Sequence, residues 1–309
     1  MNAHQDPLPS WNERPTKDAI IQFVRAVTTE GGAEYVPPAE RIAVFDNDGT
    51  LWSEMPIVQL AFVVDRVKEL VAEHPEWRTT QPFQAVLEDD QQALAAAGLE
   101  GLAALAAATH TGMTSEEFDG IVRAWFAAAR HPRFDRRYTE LVFQPKVELL
   151  AHLRANGFKT YIVSGGGIEF MRAIAEEIYG IPPEQVIGSS GKTRYELRDG
   201  VPVLVRLPEL DFYNDGDGKP RAIQKFIGRR PIAAFGNSDG DQQMLQWAGA
   251  GAGRRLMLLV DHTDADREYA YRILPSGLGC LETALAEAQQ RGWLVVDMKA
   301  DWRRVFAFQ

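Results

Sequence analysis

Two aspartates one residue apart, followed by glycine and threonine, stand at Asp46-Asn47-Asp48-Gly49-Thr50. Such a set can transfer a phosphoryl group through a carboxylate nucleophile. A carboxylate attacks an anionic phosphate only when a divalent cation screens the repulsion, and magnesium takes hard oxygen ligands such as carboxylates and substrate phosphate. A second carboxyl can protonate the leaving oxygen and then activate water. Hydroxyls, glycine amides and a lysine can hold the remaining phosphate oxygens. Candidates for those parts are Ser164-Gly165-Gly166-Gly167, Lys219, and Gly236-Asn237-Ser238-Asp239-Gly240-Asp241. Each alone has a plainer reading: an Asp turn, a glycine turn, a solvated lysine, a capped helix. Their convergence is what points to chemistry.

The elements around them explain how they would meet. Residues 41–45 (RIAVF) read as a buried strand ending at Asp46, residues 158–163 as a strand ending at Ser164, and residues 232–235 as a strand ending before the third motif. Helices are expected over 17–28, 145–156, 168–179, 219–227, 241–247 and 281–290, with further strands over 256–260 and 293–296. Residues 186–207 resemble a hairpin turning at Asp199-Gly200. Alternating strands and helices predict a mainly parallel α/β sheet covered on both faces, with ligands at the carboxyl ends of the strands. Residues 56–137 give only helical signals, including the capping box at Thr114 and Glu117. A block that long is too large for a loop and predicts an inserted domain. Residues 1–16 are polar and proline-rich and are expected to form a loosely packed, extended arm.

FDNDGTL resembles motif I of the haloacid dehalogenase (HAD) superfamily. IVSGGG resembles its motif II, Lys219 in DGKPRAI its motif III, and FGNSDGDQQML its motif IV, in the family's order. The helical block lies where the family carries a C1 cap domain, as in phosphoserine phosphatase-like members. The resemblance covers roughly residues 41–260. It implies a Rossmann-like core formed by 17–54 and 141–309, with a helical cap over 55–140. It also implies a magnesium-dependent phosphatase acting on a small phosphorylated metabolite. Asp46 would be nucleophile and metal ligand. Asp48 would be general acid and base, with its carbonyl on the metal. Thr50, Ser164, Gly165 and Gly166 would bind phosphate, Lys219 would neutralise the phosphoaspartate, and Asp241 would support the metal.

Position 237 departs from the motif, which has Asp where this chain has Asn. An amide oxygen can still ligate magnesium, but one negative charge is lost, and Asn237, Asp239 or Asp241 could complete the site. Asp48 argues for phosphoryl rather than dehalogenase chemistry, since haloacid dehalogenases lack it. The alternatives are phosphotransfer to an acceptor other than water, and a non-catalytic phosphate-binding module. Phosphoserine phosphatases carry a Glu nine residues after the nucleophile. Here Met55 holds that place and Glu54 is the eighth. Glu54 either reaches a substrate amine or is an exposed loop residue. Trp52 is expected to face the substrate.

Gly191-Lys192-Thr193 mimics the end of a P-loop but lacks the earlier glycine, so it reads as hairpin. His110, His131 and His262 show no metal-ligand spacing and read as surface or core residues. The net charge of −10 argues against nucleic acid as a partner. No apolar run approaches the ~18 residues of a membrane helix. The sole cysteine, Cys280, forms no internal disulfide, and the first twenty residues resemble no signal peptide; a cytoplasmic location is expected.

Overall fold

Ile42–Phe45 (β1) is a run of four apolar residues, all of them buried. Such a run suits a strand covered on both faces. It pairs in parallel with Lys159–Gly167 (β2) on one side and Ala233–Gly236 (β5) on the other. The eight-stranded sheet has the order β4-β3-β2-β1-β5-β6-β7, with β8 also on β6. Here β3 is Val186–Arg198, β4 Val201–Phe212, β6 Leu256–Thr263, β7 Ala270–Tyr271 and β8 Leu294–Asp297. Because β1, β2 and β5 are parallel neighbours, their carboxyl ends reach one edge of the sheet. That brings three motifs, 46–50, 164–167 and 236–241, side by side. The computed structural model describes residues 6–276 and 279–309; residues 1–5 of the expected arm lie outside these.

Alternation along β1 divides the core. Ala43 and Phe45 face a cluster with Leu149, Ile162, Phe235 and Val260, and Phe45 stacks on Phe235 at 4.2 Å. Ile42 and Val44 face the other cluster, with Val163, Ile187, Ala234 and Leu259. The first layer is covered by Pro15–Thr28 (α1), Gln144–Ala155 (α6) and Ile168–Tyr179 (α7). The second is covered by Gly218–Ala222 (α8), Gln242–Gly249 (α9) and Thr283–Arg291 (α10).

Between β1 and α6 lie Val58–Leu70 (α2), Phe83–Leu87 (α3), Gln91–His110 (α4) and Ser115–Ala128 (α5), with no strand element in the block. Helix α4 breaks at Gly98, whose φ of 57° and ψ of −157° no helix allows. The Thr114–Glu117 capping box opens α5. These helices bury a separate cluster around Phe62, Phe118, Val122 and Phe126, which also takes in Phe170, Ala173 and Ile174 of α7. Each fully buried Phe contributes roughly 2–3 kcal/mol. No single helix among the described residues is long and apolar enough to cross a membrane.

Three expectations need correction. Described residues of the N-terminal segment are not loosely packed: Leu8 and Trp11 are fully buried. Trp11 donates its indole N–H to the Pro145 carbonyl at 3.0 Å and meets Trp302 edge-on. Polar composition hid two large apolar side chains that the core uses. Strand β2 does not stop at Val163 but runs through Gly167, with a register shift before Gly167 pairs Ser189. The hairpin is longer than expected and reaches Phe212. It turns at Asp199 and Gly200, both with positive φ, as a tight two-residue connection demands.

Lys146 on α6 is fully buried, and its Nζ has no hydrogen-bond partner among the described residues; it lies 5.4 Å from the Phe235 ring. Burial pushes its ammonium down to about 7. An unfolded lysine titrates near ~10.4. Below about 7 the folded protein carries the full cost of the buried charge. Between the two values the unfolded chain binds more protons, so stability rises with pH. Lys146→Met is therefore expected to stabilise the fold at pH 6.5 by on the order of a few kcal/mol, with the gain fading toward pH 10. Urea unfolding at both pH values checks this; an equal gain at both would refute the buried-charge account.

Candidate active site

The turn after β1 is built by its own main chain. The Asn47 carbonyl accepts from the amides of Thr50 and Leu51, and Gly49 N–H donates to the Trp52 carbonyl. Gly49 has φ +70°, and a side chain there would collide with Asn237 and Glu54, so only glycine fits. The turn leaves Asp46 and Asp48 at the sheet edge.

Lys219, at the start of α8, reaches back to this edge. Its Nζ donates to Asp46 Oδ1 at 2.8 Å and to Asp241 Oδ1 at 2.6 Å, and it is 2% exposed. Burial opposes its charge, but Asp241, Asp46 and Asp215 outweigh that and raise its pKa. Burial pushes the Asp46 carboxyl well up; the Lys219 ammonium opposes this, and Asp241 adds to it. Burial also raises the Asp48 carboxyl, opposed by a hydrogen bond from Trp52 Nε1 to Asp48 Oδ1 at 2.9 Å. A carboxyl raised in this way is suited to hold a proton for a leaving group.

Motif II approaches from the neighbouring strand. Ser164 Oγ accepts from Gly166 N–H at 3.2 Å. A first side-chain carbon at Gly166 would sit 3.5 Å from Asp48 Oδ2, so the two motifs face each other closely. Gly165 lies beside Asp215 in the same way. Gln59 of α2 accepts from Gly167 N–H at 2.7 Å, so the helical block touches motif II directly.

In motif IV the alternatives separate. Asp239 caps α10, accepting from the amides of Glu282, Thr283 and Ala284. Asp241 gives Oδ1 to Lys219 and Oδ2 to the Asn237 and Ser238 amides. Asn237 Oδ1 accepts from Thr50 Oγ1 at 2.9 Å, and Asn237 Nδ2 donates to Glu54 Oε1 at 2.9 Å. Asn237 is thus the motif IV side chain turned to motif I.

Glu54 is not the exposed loop residue that one reading allowed. It is 8% exposed and also accepts from Tyr271 OH at 2.8 Å. Burial raises it to about 7, opposed by His262 and reinforced by Asp48. Trp52 is likewise corrected: it is 1% exposed, its ring packs at 5.9 Å from Phe126, and its N–H serves Asp48. Burial against α5 leaves little of it for a substrate. Sequence reasoning missed Gln59, Tyr271 and Glu268, which carry no local signal. It also missed Asn214 and Asp215, whose turn-forming Asn-Asp-Gly just before Lys219 was a usable cue. Asn214 is fully buried and donates to the Ser164 carbonyl at 2.9 Å, tying the Lys219 loop to motif II.

Fold and site together define an α/β protein whose polar motifs gather at parallel strand ends beneath an inserted helical block. The sequence pattern of the haloacid dehalogenase-like hydrolases matches residues 43–246, and the chain belongs to that family. No curated protein matches the chain. Among solved structures, a conserved functionally unknown protein from Anaerococcus prevotii DSM 20548 is 17% identical, with a TM-score of 0.57 over 93% of this chain and 92% of that one. A protein with unknown function from Bordetella pertussis Tohama I is 17% identical, with a TM-score of 0.51 over 84% and 99%. A phosphoserine phosphohydrolase-like protein from Francisella tularensis subsp. tularensis SCHU S4 matches at 18% identity and a TM-score of 0.40 over 71% and 87%. The first two share the fold of this chain.

Proposed function

We propose that this hydrolase is a magnesium-dependent phosphatase that removes phosphate from a small phosphomonoester through an aspartyl phosphate on Asp46. The observation that carries the reading is the Asp46 carboxylate at the end of β1, held 2.8 Å from Lys219, with Asp48 two residues on and the Ser164–Gly166 turn opposite.

The donor set fits a hard cation. Among the described residues no three His, Cys, Asp or Glu side chains are grouped to hold a metal. The oxygens at hand are instead the Asp46 carboxylate, the Asp48 main-chain carbonyl and the Asn237 amide. All are oxygen donors of the kind magnesium prefers, and Asp46 Oδ2 takes no hydrogen bond among the described residues. These groups would hold the ion, which when bound lessens the repulsion between carboxylate and phosphate.

Asp46 attacks phosphorus, and the bond from phosphorus to the ester oxygen breaks as Asp48 gives that oxygen a proton. Asp48 then takes a proton from water as the water attacks phosphorus, and the bond to Asp46 breaks. Inorganic phosphate leaves and both carboxyls return to their starting states. Ser164, Thr50, the Gly165 and Gly166 amides and the Lys219 ammonium bind the phosphoryl oxygens, where charge redistributes in the transition state. The test is hydrolysis of p-nitrophenyl phosphate and a panel of small phosphomonoesters with magnesium and with EDTA. Turnover is expected only with magnesium. Turnover untouched by EDTA, or seen only when an acceptor other than water is supplied, overturns this reading; the second outcome identifies a phosphotransferase.

The Trp52 N–H orients the acid. Trp52→Phe keeps the aromatic packing and loses that bond. It is expected to lower kcat about tenfold with little change in KM, a fraction of what a positioned general acid contributes. Steady-state kinetics check it, and an unchanged kcat sinks the orienting role.

A further inference from the structure

Glu54 stands on the loop leaving motif I, eight residues after Asp46. Its Oε1 takes two hydrogen bonds, from Asn237 Nδ2 at 2.9 Å and Tyr271 OH at 2.8 Å. The other end of the Asn237 amide, Oδ1, accepts from Thr50 Oγ1 at 2.9 Å. A hydroxyl can donate or accept, so Thr50 alone cannot decide which way the amide points. An ionised carboxylate only accepts. Glu54 therefore fixes the amide, with its nitrogen on the Glu54 carboxylate and its oxygen on Thr50.

The carboxylate is itself braced from the far end of the chain. Tyr271 on β7 stacks on His262 of β6, with ring centroids 4.5 Å apart. His262 Nε2 donates to the Gly49 carbonyl, which can only accept, at 2.8 Å, and Nδ1 lies 3.1 Å from Glu268 Oε2. Glu268 Oε1 in turn accepts from Ser53 Oγ at 2.5 Å. The motif I loop is thus gripped at Gly49, Ser53 and Glu54 by residues 262–271. A side chain at Gly49 would come within 2.1 Å of Asn237 Nδ2 and 2.4 Å of Glu54 Oε1, so the pair lies directly against the motif I turn.

An aspartate at position 237 would set a second carboxylate about 3 Å from Glu54 in a buried site, where like charges repel strongly. The pair has room for one negative charge, and Glu54 is the member of it that can ionise. We propose that Glu54 stands in for the carboxylate absent at position 237. It is a positioning residue that aims the Asn237 oxygen at the cation site and supplies the missing negative charge beside it. This rests on the reading of the site as magnesium-binding.

The test is calorimetric titration of the full chain with magnesium, and with manganese as a tighter probe, for wild type, Glu54→Gln, Asn237→Asp and the double variant. Glu54→Gln frees the amide to turn and removes the charge, and should weaken metal binding at least tenfold. Asn237→Asp alone should lower the melting temperature through the paired carboxylates. The double variant moves the charge to position 237 and should recover metal affinity to within about threefold of wild type. A merely structural Glu54 would not be rescued by that exchange. Tyr271→Phe, which keeps the carboxylate and loses one brace, gives a milder loss of two- to fivefold should Glu54→Gln not fold. Wild-type binding that Glu54→Gln and Tyr271→Phe both leave unchanged overturns the inference, as does a double variant no better than Glu54→Gln. A wild type that binds neither cation overturns the magnesium reading itself.

Discussion

Asp46→Asn is expected to lower phosphomonoester turnover by on the order of 10⁴-fold or more, the scale seen when a covalent nucleophile is removed. The replacement is isosteric, and its amide oxygen can still accept from Lys219, so the fold is expected to persist. Relief of a buried carboxylate that stands next to Asp241 should leave the melting temperature level or higher, given that burial already pushes Asp46 up. The wild type should accumulate a phosphoprotein that hydroxylamine cleaves, the signature of an acyl phosphate, and the variant should not. Turnover within tenfold of wild type, with contaminating phosphatase excluded, would falsify the assignment of the nucleophile.

Lys219→Met is expected to damage stability and activity together. The ammonium sits 2.8 Å from Asp46 and 2.6 Å from Asp241, and Asp241 is fully buried. Removing one partner from a buried ionic group leaves uncompensated charge and costs about 3–5 kcal/mol. Turnover should fall by roughly 10²–10³, as for the loss of a group that stabilises transition-state charge. The pH dependence has a definite sign. Without the ammonium the Asp46 carboxyl rises further above its unfolded value, so the folded variant binds protons more readily. Its stability deficit should shrink as the pH falls through that raised value. Urea unfolding at pH 5 and pH 8 reads both quantities. A deficit under about 1 kcal/mol at pH 8 would mean that the Lys219 triad contributes little net stability.

The motifs and their scaffold were legible because parallel strands advertise themselves. Residues 42–45 and 232–235 are apolar on both faces, and each runs straight into a polar turn. Helix ends were legible for local reasons too: Gly180 and Gly157 with positive φ, and the Thr114 capping box, act within a few residues. What stayed hidden lies in partners far apart in sequence. Glu54 and Tyr271 are 217 positions apart, and Gln59 and Gly167 are 108 apart. Neither pair leaves a local pattern. The orientation of Trp52 was misjudged because nearness to Asp48 does not say which face of the loop a ring takes. The N-terminal segment was misjudged because Leu8 and Trp11 lie among prolines and polar residues, while the Pro145 carbonyl and Trp302 ring that receive Trp11 lie far along the chain.

Phe170 lies three residues beyond the last glycine of motif II and packs on Phe62 at 5.3 Å and Phe126 at 4.9 Å. Ala173 and Ile174 join the same cluster. The helical block is therefore not a cassette that can be traded between relatives at its two ends. Its interior is partly written in a helix of the sheet layer, so a foreign block would meet an α7 surface cut for other side chains. Gln59, which bonds Gly167, adds a polar constraint to the apolar one. Divergence in the helical block is thereby yoked to the helix that follows the Ser164 turn, and the two must change as a single heritable unit.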